Sequence, residues 1–182
     1  MKGTVSAEVL EAYSDALMSL AQTQNLTDRI GDDVRSLLSG LNSSQELRQV
    51  LTSPVIQDEQ KKSILRNISS GQLHSYTLNF LMLLVDKRRI AFLEGVCENY
   101  LARLRELNQT VLASVTSAVE LNSTQTQAVI DKVKSLTNAR EVELQAKIDP
   151  ELLGGVIIKV GSQVIDASLK GQLRRIGMRL VN

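Results

Sequence analysis

The sequence is short of most groups that carry chemistry. Of 182 residues none is Trp, two are Pro, one is Cys (Cys97), one is His (His74), and five are aromatic: Tyr13, Tyr76, Phe80, Phe92 and Tyr100. One His and one Cys cannot build a zinc site, a Cys–His nucleophile or a disulfide within the chain, so metal chemistry would rest on carboxylates alone. Few aromatics leave little stacking surface for single-stranded nucleic acid. A single-sign field is also missing: 21 basic residues face 20 acidic ones, too even a balance to draw the chain to nucleic acid or an anionic membrane. The asymmetry between residues 1–53, net −3, and 54–182, net +4, is too weak to name a partner. Apolar runs such as FLMLLV at 80–85 fall far short of the roughly 20 residues that span a bilayer. The first residues, MKGTVSAEVLEAYSDAL, contain Glu8, Glu11 and Asp15 and no continuous apolar stretch, unlike a signal or transit peptide. They predict a protein kept on the cytoplasmic side of a membrane, or in a plastid that encodes it.

What is present is leucine, 28 residues of it, within a chain that is 43% apolar and able to bury a core. Val9, Tyr13, Ala16, Leu17 and Leu20 recur at helical spacing and predict an amphipathic helix over 6–24, capped at Ser6. A second helix is expected over 27–41 from a Thr27 or Asp28 cap. Short helices at 44–51 and 57–68 should flank Ser53-Pro54, because proline lacks a donor and its predecessor avoids helical geometry. Ser69-Ser70-Gly71 closes that set. In 73–86, Leu78, Leu81 and Val85 form one stripe and Tyr76, Phe80 and Leu83 another; a helix apolar on two sides is central to a bundle or meets a partner. A long helix is expected from Lys87 to about Leu107, with Cys97 inside it as a small buried hydrophobe.

After Asn108 the period shortens to two. Val111, Ala113, Val115 and Ser117 alternate with Leu112, Ser114 and Thr116, which predicts a strand over 110–119. Asn122-Ser123 should cap a helix to 138, followed by a strand over 141–148 and a break at Asp149-Pro150. VIIKVGSQVID reads as two strands joined at Gly161-Ser162, and Ser168 opens a last helix. The expected class is therefore α+β: an all-helical bundle over 1–107, joined by a long helix to a small α/β domain over 108–182.

No constellation reads as an active site. Gly154-Gly155 precedes a strand, where a turn or bulge outweighs a phosphate loop, since a phosphate loop needs Lys, a hydroxyl and a helix behind it. Asp166, two residues before Ser168, reads as a cap or turn, and His74 as an exposed or capping imidazole. Lys87-Arg88-Arg89 is a solvated turn or a contact for an acidic partner. The first helix and the 73–86 helix could wall a trough that takes a partner helix, or both could be core.

Three blocks carry a resemblance over essentially the whole chain. AYSDALMSLA resembles a Tyr-Ala-x-Ala-Leu helix, with Ser14 where Ala is usual. LNFLMLLVDKRRIAFLEGVCENYL is similar to an Asn-Phe-Leu, Leu-Leu, Arg, terminal-Tyr pattern, with Lys87-Arg88 where Asn-Gly is more usual. VTSAVEL and IDPELLGGVIIKVGSQVIDASLKGQLRRI form the most specific block, with Asp-Pro, Gly-Gly, Val-Ile-Asp and Ser-Leu in order. Together they resemble the delta subunits of bacterial and plastid F-type ATP synthases, counterparts of the mitochondrial oligomycin-sensitivity-conferring protein.

That resemblance implies a non-catalytic stator subunit without cofactors, linking the catalytic head to the peripheral stalk while the rotor turns. It implies a six-helix N-terminal bundle that holds the N-terminal helix of an alpha subunit, here on Tyr13, Ala16 and Leu17 of the first helix and Asn79, Met82 and Leu83 of the fifth. The C-terminal domain would take the C-terminal ends of the b or b' subunits on Arg175, Ile176, Met178 and Leu180. Membrane association would come only through the complex, on the cytoplasmic or stromal face, at a thylakoid in a cyanobacterial or plastid version and at the plasma membrane otherwise. The competing expectation is a generic helix-binding or RNA-binding regulatory module, with an enzyme third.

Overall fold

The computed structural model describes residues 2–69 and 71–180, with side chains described from Ala7 onward except at positions 176, 177, 179 and 180. Ser70, and the side chains of Ser6, Ile176 and Leu180, therefore lie outside the described residues. Helices and a four-stranded sheet give an α+β architecture, and the chain divides into two units, 1–104 and 105–182.

The first unit is helical: α1 (Lys2–Thr23), α2 (Thr27–Ser43), α3 (Gln45–Thr52), α4 (Asp58–Ile68), α5 (Ser75–Asp86), a 3-10 turn (Ile90–Phe92) and α6 (Leu93–Leu107), whose last turn enters the second unit. Leu17, Ala21, Ile30, Val34, Leu81, Leu84, Val85, Val96 and Tyr100 are the heart of its core, each at most 2% exposed. Cys97 is buried among them as expected, and burial beside Glu98 and Glu94 pushes its thiol up to about 12. Tyr100 donates its phenol to the Thr27 carbonyl at 3.0 Å; burial, assisted by Asp28, likewise lifts it to about 12.

Three helix boundaries differ from expectation. The first helix starts at Lys2, ahead of Ser6. α2 has Leu26 at its N-cap with no side-chain cap, rather than Thr27 or Asp28. The cause lies in how α1 ends: Asn25 takes φ +55°, its amide donates to the Gln22 carbonyl (3.1 Å), and Leu26 donates to Ala21 (2.8 Å). This left-handed stop turns the chain directly into the next helix, and Leu26 packs on the core as its apolar clasp. The same device interrupts the long helix expected from Lys87. Arg88 takes φ +55°, donating to Val85 at 2.8 Å, and Arg89 donates to Leu84 at 2.7 Å, so α5 ends there and α6 begins only at Leu93.

In the second unit β1 (Thr110–Ser117), α7 (Ser123–Thr137) and β2 (Glu141–Ile148) form a parallel pair with a helical crossover. A 3-10 turn (Pro150–Leu152) then leads to the β3 (Val156–Val160) and β4 (Gln163–Asp166) hairpin and α8 (Leu169–Leu180). Strand order is β2-β1-β3-β4, with β1 antiparallel to β3. Ala113, Val115 and Ser117 alternate inward as the period-two pattern predicts, and Ala113 and Val115 form a core with Val129, Val133 and Ile158. β2 lies at the sheet edge, and its alternation is lost by Ala146 and Ile148, both exposed. Asn122 caps α7 in a reciprocal pair with Gln125 (2.8 and 3.0 Å).

Candidate partner-binding surfaces

Tyr13 on α1 meets Phe80 on α5 edge to face, ring centroids 6.2 Å apart, and the Arg89 guanidinium lies 5.5 Å over the Tyr13 ring. The Tyr76 hydroxyl, at the start of α5, is 3.3 Å from Gln24 Oε1 just beyond α1. These two contacts set α1 and α5 antiparallel, side by side. Tyr13 is half-buried between core and solvent; Ala16 and Asn79 are exposed, Leu83 is 44% exposed, and Met82 packs on the core while keeping part of its surface. Leu17, at 2% exposure, is core and offers a partner nothing. So of the six residues assigned to the trough, five reach the surface and one supports it from below. Phe80, on the second stripe, is core as well.

What holds α5 in place is a buried carboxylate that the helical pattern does not single out. Asp33, 3% exposed on α2, accepts from the His74 amide (2.8 Å) and the Thr77 hydroxyl (2.6 Å) through Oδ2, while Arg29 lies 3.6 Å from Oδ1. An anion thereby sits at the N-terminus of α5, where free amides and the helix dipole favour it. His74 completes the start as N-cap, its Nδ1 accepting from the Tyr76 amide at 3.3 Å. The only signal in the sequence was an Asp on the stripe that carries Ile30, Val34 and Leu37. On α1, Ser14 is fully buried and returns its hydroxyl to the Glu11 carbonyl (2.9 Å), and Asp15 pairs with Arg103 of α6.

The second surface is α8. Leu169 and Leu173, four residues apart on one side of the helix, are 49 and 62% exposed, and Met178, on another side, is 57% exposed. Arg175 is exposed, its guanidinium 3.4 Å from the Asp166 carbonyl. The helix is pinned at its start. Asp166 Oδ1 accepts from the Ser168 amide (2.9 Å) and hydroxyl (2.6 Å), and Ser168 Oγ accepts from the Gly171 amide at 3.0 Å. The bonds from Ser168 hold the Asp166 carboxyl below its usual range. Gly155, φ +77°, lets the strand entry press against the backbone there: a Cβ would collide with the Ala167 carbonyl, and a Cβ on Gly171 with the Asp166 carboxylate. The Gly-Gly, Val-Ile-Asp and Ser-Leu block is thus a clamp for α8, and the phosphate-loop alternative is set aside by that packing.

The model of the ATP synthase delta (OSCP) subunit family matches residues 9–180. The chain belongs to that family. It is 61% identical to the ATP synthase subunit delta of Gloeothece citriformis over 99% of this chain and 98% of that one. It is 56% identical to that of a Synechocystis strain, with 99 and 98% covered. In three dimensions it aligns with a chain of the Toxoplasma gondii mitochondrial ATP synthase hexamer at a TM-score of 0.72, covering 95% of this chain and 97% of that one at 23% identity, a likeness of fold. Family membership agrees with a chain whose distinctive surfaces are apolar helix faces. Among the described residues no helix is long and apolar enough to cross a membrane.

Proposed function

We propose that this chain is a stator subunit of an F-type ATP synthase, non-catalytic, joining the catalytic head to the peripheral stalk. In this reading the first unit works as a six-helix bundle, and the α1–α5 seam receives the N-terminal helix of an alpha subunit on Tyr13, Ala16, Asn79, Met82 and Leu83. The last helix, α8, with Arg175, Ile176, Met178 and Leu180, receives the C-terminal ends of the b or b' subunits. Membrane association follows from the complex. The 49 to 61% identity to cyanobacterial delta subunits favours the thylakoid membrane, on its cytoplasmic face.

The observation that carries the reading is the α1–α5 seam. It offers exposed Leu83 and Ala16 on the two helices joined by the Tyr13 ring, which meets Phe80 edge to face and lies under Arg89, a wall for a partner's i, i+3, i+4 side chains. A stator needs contacts that release slowly under load, and apolar helix burial at about 25 cal/mol per Å2 supplies them without chemistry.

Leu83→Glu tests it. Titration with a peptide of the alpha N-terminus should weaken by about 30-fold or more, the scale of losing a hot spot of about 2 kcal/mol, while circular dichroism is unchanged. Unaltered binding would remove the seam from the alpha contact. A regulatory module that binds RNA would instead show affinity for RNA that collapses with salt.

A further inference from the structure

β2 is an eight-residue strand at the free edge of the sheet, with a neighbour on one side only. The opposite edge strand, β4, has four residues. The Asp149 amide donates to the Ser117 carbonyl at 2.8 Å, one step past the paired span, so in the parallel register the odd-numbered residues of β2 turn their backbone groups toward β1. The amides and carbonyls of Val142, Leu144, Ala146 and Ile148 therefore point away from the sheet, a row of donors and acceptors with no strand beside it. Ala146 and Ile148 are exposed, Ile148 by 55%, on the face where Val142 and Leu144 pack against the core.

Such an edge is ordinarily protected by a charge that repels an added strand. Lys147 is that charge here, exposed and in no ion pair among the described residues. β2 also carries its complement. Laid antiparallel against a second copy and centred on Gln145, the strand sets Glu143 opposite Lys147 twice, with Gln145 against Gln145 between them. These are the non-hydrogen-bonded positions, where opposed side chains come closest. On the other face Val142 meets Ile148 and Leu144 meets Ala146, so all four outward backbone positions find partners. A centre at Glu143 or at Lys147 would instead oppose that residue to itself. Glu143 already accepts from Arg105 Nε at 3.0 Å, which leaves its carboxylate further acceptor sites. Glu141 faces Asp149 in this register, but the Asp149 carboxylate is turned into its own 3-10 turn, accepting from the Glu151 amide at 3.0 Å.

We propose that the β2 edge is a self-complementary interface through which the free chain pairs with a second copy, joining two four-stranded sheets by antiparallel β2 strands. The contact uses neither the α1–α5 seam nor α8 and stands apart from the stator reading. A single strand pair covers less than the about 1,200–2,000 Å2 of a stable interface, so the dimer is weak and dissociates on dilution.

Sedimentation velocity of the free chain between about 1 and about 500 µM, a range that brackets weak association, is the test. The expected result is reversible exchange between monomer and dimer. Lys147→Glu and Glu143→Lys should each weaken it about 10-fold by opposing like charges. An equal mixture of the two variants should restore it, because opposite charges then meet between unlike copies. Glu143→Lys gives up the Arg105 pair, so amide exchange in the unaltered chain supplies a reading free of any substitution. There Val142, Leu144, Ala146 and Ile148 should exchange several-fold more slowly at the high concentration, with Val164 of β4 unchanged. A chain monomeric throughout, or exchange at those four amides indifferent to concentration, would overturn the proposal. So would protection falling on Val164 instead, a dimer that Lys147→Glu leaves at full strength, or a mixture of two folded variants that stays monomeric.

Discussion

The α1–α5 seam and the α8 face are both apolar helix surfaces, but they are held in different ways. α5 is fixed from afar: Asp33 on α2 reaches residues 41 and 44 positions along the chain, and Tyr13 meets Phe80 edge to face at the margin of the core. α8 is held at its first turn, by Asp166 and Ser168 within five residues of Gly171 and by the Leu169 amide on the Gly154 carbonyl (3.0 Å). Its Leu169, Leu173 and Met178 have about half or more of their surface in water, whereas on the seam only Leu83 among the large apolar side chains comes close. A surface braced by long-range contacts is rigid before its partner arrives; one braced only at its first turn needs the partner to cover its far end. The first unit should therefore bind as a preformed wall, and the second should gain order on binding.

The sharpest way to break that contrast is to remove the long-range brace. Asp33→Ala strands the His74 amide and the Thr77 hydroxyl in the interior. At about 1–3 kcal/mol per orphaned group, the cost should be roughly 2–4 kcal/mol. Chemical denaturation followed by circular dichroism should show that loss, and hydrogen exchange should place it in α5 and α2, with β1 and β3 unaffected. A loss spread evenly over both units would mean that the brace is not local to the first. Next in size is Leu173→Asp, which leaves the second unit folded because Leu173 is 62% exposed. Affinity for a peptide from the C-terminal end of b should fall about 10-fold or more, the cost of about 1.4 kcal/mol at an interface position. Unchanged affinity would take Leu173 out of the stalk contact.

Legibility followed the range of the interactions involved. The alternation in β1, the Asn122 cap, the Gly161 hairpin and the Asp166 turn are settled within a few residues, and the pattern shows them. The burial of Cys97 and the capping role of His74 were legible for the same reason. Asp33 was not, because its meaning depends on a helix that arrives more than forty residues later. Nor was the split between α5 and α6: Lys87-Arg88-Arg89 has no Gly or Pro to announce a stop, and the left-handed turn at Arg88 emerges only when Leu84 and Val85 are locked in the core. Leu17 and Phe80 share stripes with true surface residues, and periodicity alone cannot say which side of a two-sided helix the core takes.

That left-handed arginine gives a smaller test on the rigid side of the comparison. A side chain at φ +55° carries a cost of order 1 kcal/mol that glycine avoids, partly offset by the freedom glycine adds to the unfolded chain. Arg88→Gly should stabilise the first unit by about 0.5 kcal/mol, seen as a higher denaturation midpoint at unchanged slope. Destabilisation would show that the loose approach of Arg88 to Asp58 outweighs the strain.

The smallest effect belongs to the local clamp of α8, and it is set by pH. Ser168 donates twice to the Asp166 carboxylate, so the folded protein holds that carboxyl below its unfolded value. A depressed acid contributes its stabilisation above the unfolded pKa and loses it as pH falls through the folded one. α8 should therefore stay pinned through the neutral range and loosen only in acid, below the ordinary carboxylate range. Amide exchange at Ser168 and Gly171 should rise there while the amides of α5, held by Asp33 inside the other unit, are followed in the same sample as a reference. Asp166→Asn keeps an oxygen acceptor but has no charge to lose, so its α8 should exchange somewhat faster at neutral pH and show no further loosening from that position in acid. If the wild-type and Asp166→Asn profiles loosened in parallel, the turn would be held by its geometry and not by the carboxylate's charge.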